Sequence, residues 1–338
     1  MTRVFVTGGS GYLGRHLIKE LVAQGNEVVA MARSDRAAER VAALGAKPAL
    51  GGLDHVAGLD GCAVVIHAAS RFMQPGDYAT YARDNIEGTR TLLQRARAAG
   101  VQRFIYVGAA GCLVGGRPVV GADESWPLQQ PSWSHYFKTK SIADGLVRAA
   151  DAPGFASSVV RPGLIWGGEG DTFTASIAEV VRAGHMMLID GGRHEIVTSH
   201  VANTVAGVLV AMERAVGGEA YFVFDDGATT TRDFLGRLMK TQGLQLPDKA
   251  IPGAAAWAVA NAMAAAWRLL GRKDDPPLTR ELVKLNGGPF LVSDEKARSQ
   301  LGYRPVVSRD RALADLKALA GVRGASTARS AAATPTAT

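Results

Sequence analysis

Thr7-Gly-Gly-Ser-Gly-Tyr-Leu-Gly14, "TGGSGYLG", decides the fold. It follows the β-rich run Arg3–Thr7 and leads into Tyr12–Gln24, where Leu13, Leu17 and Leu21 recur at helical spacing. A strand running through glycines into a helix is the context in which a glycine triplet carries weight. Gly8 permits the tight turn, Gly11 lets backbone approach a pyrophosphate, and Gly14 lets helix and strand pack closely. The helix N-terminus then faces the phosphates' negative charge. Ser10, Tyr12 and Leu13 complete the expected cofactor contacts of this turn.

Downstream, strands and helices alternate. Strands are predicted at Glu27–Met31, Ala63–His67, Arg103–Val107 and Ala156–Val160, and helices at Tyr78–Ala99 and Ser134–Ala150. This pattern predicts an α/β fold, a doubly wound parallel sheet with right-handed crossovers. Residues 1–165 are assigned to the dinucleotide-binding domain and 166–320 to a smaller, helix-rich C-terminal substrate lobe, some of whose elements can return to the core. Helices are predicted there at Thr172–Ala183, His200–Ala215, Thr231–Thr241, Ala254–Leu270, Asp294–Leu301 and Arg309–Leu319, and a strand at Tyr221–Phe224. The Ala/Ser/Thr-rich residues 321–338 read as a disordered tail.

The end of the second strand bears on the choice of dinucleotide. An acid there would hold the ribose hydroxyls of NAD, but Arg33 and Ser34 stand in its place. A guanidinium suits a 2′-phosphate, so NADP(H) is expected over NAD. Tyr136 and Lys140, in "YFKTK", lie four apart on one helix face. An ammonium near the phenol would lower its pKa and fit Tyr136 to exchange a proton with a carbonyl or alcohol.

In charge, the chain carries +7, and residues 266–330 hold 13 Lys/Arg against 7 Asp/Glu. No basic run is interleaved with aromatics, so nucleic acid is not an expected partner. The scattered histidines give no metal-ligand spacing, and no metal is expected. Two cysteines without a disulfide framework, and no charged-then-apolar leader, lead to an expected cytoplasmic location. "IPGAAAWAVANAMAAAWRLLG", Ile251–Gly271, is read first as a buried helix lining a substrate pocket. The alternative is an interfacial helix anchored by Trp257, Trp267 and Arg268, giving peripheral membrane contact through the C-terminal lobe.

These motifs, with "VVIHAAS" (Val64–Ser70), "DNIEGTRTLL" (Asp84–Leu93) and "RPGLIWGGEGD" (Arg161–Asp171), resemble the extended short-chain dehydrogenase/reductase family and its Rossmann sheet. "TSHVANTVAG" (Thr198–Gly207), "PPLTRELV" (Pro276–Val283) and "SDEKARSQLGYRP" (Ser293–Pro305) are similar to its 3β-hydroxysteroid dehydrogenase-like branch. The resemblance implies a Tyr136/Lys140 acid–base pair, with Lys140 also at the nicotinamide ribose and Asn85 holding a structural water. It implies cofactor contacts from His67, Ala68 and Ala69 and from Pro162 and Gly163, and a place for Asn203 in the substrate lobe. It also implies a homodimer, and a steroid-like, lipid-like or aromatic ketone or alcohol as substrate.

Two positions depart from the family pattern. Gly51-Gly-Leu53 stands where "GDL" is common, with Asp54 late, although Leu53 is still expected at the adenine. Ala109 occupies the position of the family's catalytic serine or threonine. Ala109, Ala110 and Gly111 are therefore expected to leave room for a bulky substrate, with Trp126, Trp133, Leu164 and Trp166 as walls. Cys112, Ser70, Ser134 and His135 are the candidates to replace the hydroxyl. The leading reading is an NADP-dependent ketone/secondary-alcohol oxidoreductase on a hydrophobic substrate. The alternatives are a sugar-nucleotide epimerase or dehydratase, and a non-catalytic nicotinamide-binding sensor or scaffold.

Overall fold

The computed structural model describes residues 1–72, 74–272 and 276–332, with side chains as far as Ala320. Seven strands form the main sheet: β1 (Arg3–Thr7), β2 (Glu27–Ala32), β3 (Lys47–Leu50), β4 (Val64–His67), β5 (Arg103–Val107), β6 (Ala156–Pro162) and β7 (Ala220–Val223). Their order is β7-β6-β5-β4-β1-β2-β3, every neighbour parallel. The strand order reverses between β1 and β4, which opens a crevice at their C-terminal ends. There Thr7 lies opposite His67.

Seven helices come first: α1 (Tyr12–Ala23), α2 (Asp35–Ala42), α3 (Tyr78–Ala82), α4 (Gly88–Ala98), α5 (His135–Ala149), α6 (Thr172–Arg182) and α7 (Val201–Arg214). Of these, α1, α2 and α7 cover one face of the sheet, α4 and α5 the other, and α6 packs with Trp166 and Phe234 in the C-terminal lobe. Leu17, Ile18 and Leu21 of α1 pack with Val205, Val208 and Leu209 of α7 over β1, β4 and β5. On the other face Leu92, Leu93, Ala143 and Val147 pack on Phe5, Val65 and Phe104. Thus α7 and β7, from the second half of the sequence, belong physically to the first. α3 and α4 form one rod interrupted by a π-helical turn, Arg83–Glu87, where a regular helix was expected.

Four more helices follow: α8 (Thr231–Thr241), α9 (Gly253–Leu269), α10 (Arg280–Asn286) and α11 (Arg309–Ala332). α10 and a small sheet of Val119–Ala122, Glu195–Ile196, Thr229–Thr230 and Phe290–Val292 were not expected. Their segments are too short for periodicity to reveal. At the expected helix Asp294–Leu301, a π-helical turn occupies Ala297–Leu301. α11 continues through Ala332, into the stretch expected as tail, where alanines favour helix. Residues 333–338 of that stretch lie outside the described residues.

α9 corrects a second expectation. Of its residues only Ala256 and Ala260 are buried, against Ile189 and Val283. Alanines four apart make a narrow seam, so most of the helix faces outward instead of lining a pocket. Leu269 and Leu270 are 85% and 72% exposed. Among the described residues no helix is long and apolar enough to cross a membrane.

Candidate active site

The glycine turn is shaped by contacts that exclude side chains. Gly8 has φ +72°, and a Cβ there would lie 2.8 Å from the amide nitrogen of Ala69. A Cβ on Gly14 would lie 2.1 Å from the Gly8 carbonyl oxygen. Gly11, the N-cap of α1, is exposed and offers no side-chain cap, and the first turn carries no acid. In contrast, α2, α5 and α6 are capped by Ser34, Ser134 and Asp171. The start of α1 therefore fits an anion. Tyr12 donates to the Gly167 carbonyl and His16 meets that of Glu169 at 3.0 Å, so the 167–169 loop is tied beside this turn. Ser10 is half-buried within the turn, and Leu13 packs partly buried against the core.

His67 proves to be a support. Its ring is fully buried with both nitrogens engaged. Thr89 gives its proton to the Asn85 carbonyl (2.7 Å), so it accepts from Nε2 (2.9 Å). Nδ1 then accepts from the Thr7 hydroxyl (2.7 Å), which itself accepts from the Ala69 amide (3.1 Å). Burial, with Lys140 nearby, pushes this imidazole down to about 3. The backbone of Ala68–Ala69 is what faces the glycine turn.

At the end of β2, Arg33 is exposed and Ser34 caps α2 by accepting from the Ala37 amide (3.3 Å). Among the described residues Arg33 has no ion-pair partner. Residues 51–63 hold no helix. Leu53 packs against Gly88, where a Cβ would meet it at 2.7 Å, which turns this side chain onto α4. Pro162 ends β6, and the Gly163 amide donates to Ser199 Oγ (2.8 Å).

Tyr136 and Lys140 both lie on α5, above the end of β5. Lys140 is buried, donates from Nζ to the Val107 carbonyl (2.6 Å) and lies 4.0 Å from the Tyr106 ring centroid. Burial brings its ammonium down to about 8. Its other two protons have no acceptor among the described residues. Burial pushes the Tyr136 phenol up, Cys112 and Glu281 add to this, and a hydrogen bond with Ser70 opposes it. In this state the downward influence comes from Ser70 and not, as expected, from Lys140.

The π turn aims Asn85 inward. Its Oδ1 accepts from the Arg71 amide (2.7 Å), and its Nδ2 donates to the Arg71 carbonyl (3.3 Å) and to Thr139 Oγ1 (3.0 Å). Asn85 thereby clamps the loop after β4 to α5. Asp144, one turn beyond Lys140, holds the buried Arg161 through two 2.8 Å bonds and anchors α5 to β6.

The expected pocket needs correction. Ala110 is fully buried among Leu113, Phe222 and Phe224, and a Cβ on Gly111 would lie 2.4 Å from the Phe137 ring. Of the three small residues, Ala109 and Gly111 stay partly open, but Phe137 already occupies the space beside Gly111. Trp133 lies beside Phe137 (6.3 Å), and Leu164 is partly exposed. Trp166 is fully buried and donates to Asp225 (2.8 Å), and Trp126 lies under Arg117 (4.1 Å). Sequence reading overlooked two groups. Asp225 also bonds Thr198, the His200 amide and Asn203, and thus joins β7 to the lobe. Phe72 packs on Tyr136 at 4.8 Å. Neither lies in a motif with a periodic signal.

Comparison with known proteins gives the family and the fold. The 3-beta hydroxysteroid dehydrogenase/isomerase family matches residues 5–252. A 4-hydroxy-2-methyl-3-oxo-4-farnesyl-3,4-dihydroquinoline-1-oxide ketoreductase of Stigmatella aurantiaca is 41% identical, over 93% of this chain and 96% of its own. A 2-alkyl-3-oxoalkanoate reductase of Stenotrophomonas maltophilia is 32% identical, over 94% and 98%. Among solved structures, a short-chain dehydrogenase/reductase superfamily protein from Agrobacterium tumefaciens with bound NAD has a TM-score of 0.72 at 21% identity, over 97% and 99%. That last likeness concerns the fold.

Proposed function

The chain belongs to the 3β-hydroxysteroid dehydrogenase/isomerase family of oxidoreductases, and from that premise we propose that it interconverts a ketone and a secondary alcohol on a hydrophobic substrate with NADP(H). The observation that carries this reading is Tyr136 and Lys140 at the end of β5, next to the crevice where the strand order reverses. The uncapped start of α1 and the glycine contacts fit a dinucleotide's phosphates. Exposed Arg33 at the end of β2 favours a 2′-phosphate. A bound dinucleotide supplies the hydride to the carbonyl carbon. Tyr136 holds the proton for the carbonyl oxygen, Lys140 offers its two remaining donors to ribose hydroxyls, and Asn85 fixes the loop that borders Tyr136.

The names of the two relatives point to alkyl- and prenyl-bearing ketones. The test is NADPH oxidation with ethyl 2-methylacetoacetate and longer 2-alkyl homologues. Turnover is expected to rise with chain length and to fall by at least about 100-fold in Tyr136→Phe. A Tyr136→Phe enzyme near wild-type turnover would show the proton path to be wrong. The outward apolar face of α9, with Arg268 beside Leu269 and Leu270, is the proposed membrane-contact surface. Co-sedimentation with anionic vesicles that Leu269→Glu/Leu270→Glu abolishes supports it, and equal sedimentation of both proteins overturns it.

A further inference from the structure

A ketone reduced beside Tyr136 develops negative charge on its oxygen, and a second hydroxyl donor there lowers the barrier. Ala109 supplies none. Three of the side chains that could replace it are committed elsewhere. Ser134 Oγ donates to Glu281 (2.6 Å) and accepts from the Phe137 amide (3.0 Å). The Cys112 thiol is buried and directed at the Phe137 carbonyl (3.8 Å). His135 is exposed and lies beside Tyr78 and Tyr81.

Ser70 is placed differently. Residues 68–72 form neither helix nor turn. Asn85 grips both backbone polar groups of Arg71, whose side chain turns to Asp84 (2.7 Å) and the Pro75 carbonyl (2.9 Å). Ser70 is thus bracketed at the site: Ala69 meets the glycine turn, Arg71 is held by Asn85, and Phe72 reaches Tyr136. Phe72 meets the Tyr136 ring at 4.8 Å, and the Ser70 hydroxyl is close enough to draw the phenol's pKa down.

Resting on the oxidoreductase reading, we infer that Ser70, from the loop after β4, supplies the substrate-polarising hydroxyl that relatives place after β5. As the carbonyl π bond breaks, the carbon takes the dinucleotide's hydride and the oxygen takes the Tyr136 proton. Ser70 donates a hydrogen bond to that oxygen and keeps its own proton.

The test compares wild type, Ser70→Ala, Ala109→Ser and Ser70→Ala/Ala109→Ser. With NADPH and ethyl 2-methylacetoacetate, Ser70→Ala is expected to lower kcat about 100-fold, with NADPH affinity by calorimetry unchanged. The double variant is expected to recover at least about tenfold of that loss, because Ala109→Ser restores a donor after β5. Carbon-13 NMR of labelled tyrosine, assigned by the signal lost in Tyr136→Phe, gives a readout besides turnover. In Ser70→Ala the Tyr136 Cζ resonance at pH 7 is expected to shift from its wild-type position, because the phenol loses its hydroxyl neighbour. Turnover within twofold of wild type together with an unmoved resonance overturns the inference. A wild-type protein that binds NADPH and reduces no ketone would defeat the oxidoreductase reading instead, and the resonance would still decide whether Ser70 engages Tyr136.

Discussion

Arg161 and Asp144 form a buried, two-pronged ion pair, each bond 2.8 Å, that rivets α5 to β6 directly beneath the Tyr136–Lys140 face. Asp144 has a second partner in Arg148 (3.2 Å), but removing Asp144 would leave the buried Arg161 without its ion pair. Asp144→Ala is expected to cost about 3–5 kcal/mol of stability, read from urea unfolding. A cost near that of an exposed pair, about 1 kcal/mol or less, would show that the pair is dispensable to α5.

The His67 imidazole is neutral in the fold down to about pH 3, because burial opposes its charge. Below pH 6.5 the unfolded chain takes up a proton that the folded chain refuses, so stability falls with falling pH across that window. The loss is about 2 kcal/mol by pH 5. Unfolding midpoints at pH 7 and pH 5 should therefore lie closer together in His67→Gln than in wild type. Equal spacing would assign the acid sensitivity to other groups.

Arg33 projects from the end of β2 without an ion-pair partner among the described residues. If it receives a 2′-phosphate, Arg33→Ala weakens NADPH binding by about 1.5–3 kcal/mol, roughly 10- to 100-fold, and leaves NADH affinity nearly unchanged. Calorimetry with both dinucleotides checks this. Parallel losses for the two would mean that Arg33 does not read the 2′ position.

The Lys140 ammonium, brought down to about 8 by burial, loses its charge within the ordinary assay range. NADPH affinity should fall as pH rises from 7 to 9.5, by roughly tenfold if one charge-assisted bond to ribose is lost. Lys140→Arg, which stays protonated, should show no such step. A step of equal size in both proteins would place the titration elsewhere.

The glycine turn, the parallel sheet and the Tyr136–Lys140 helix were legible from local sequence. Gly8, Gly11 and Gly14 sit between a β-rich run and an amphipathic helix, and a four-residue spacing places two side chains on one helix face. Their signals are short-range and periodic, which is why the residues alone carry them. Tertiary structure decided what depends on neighbours distant in the chain. β7 and α7 return to the first domain because their apolar faces complete its sheet and cover α1. Asn85 enters the site through a π turn that no periodicity announces. Gly111 offers no pocket because Phe137 already fills the space beside it. The hydroxyl missing at Ala109 was legible in the sequence, and so were four candidates to replace it, but not which of them reaches the site. Asn85 holding Arg71, and Phe72 packing on Tyr136, bring the loop after β4 to the site, and such contacts between separate segments exist only once the chain has folded.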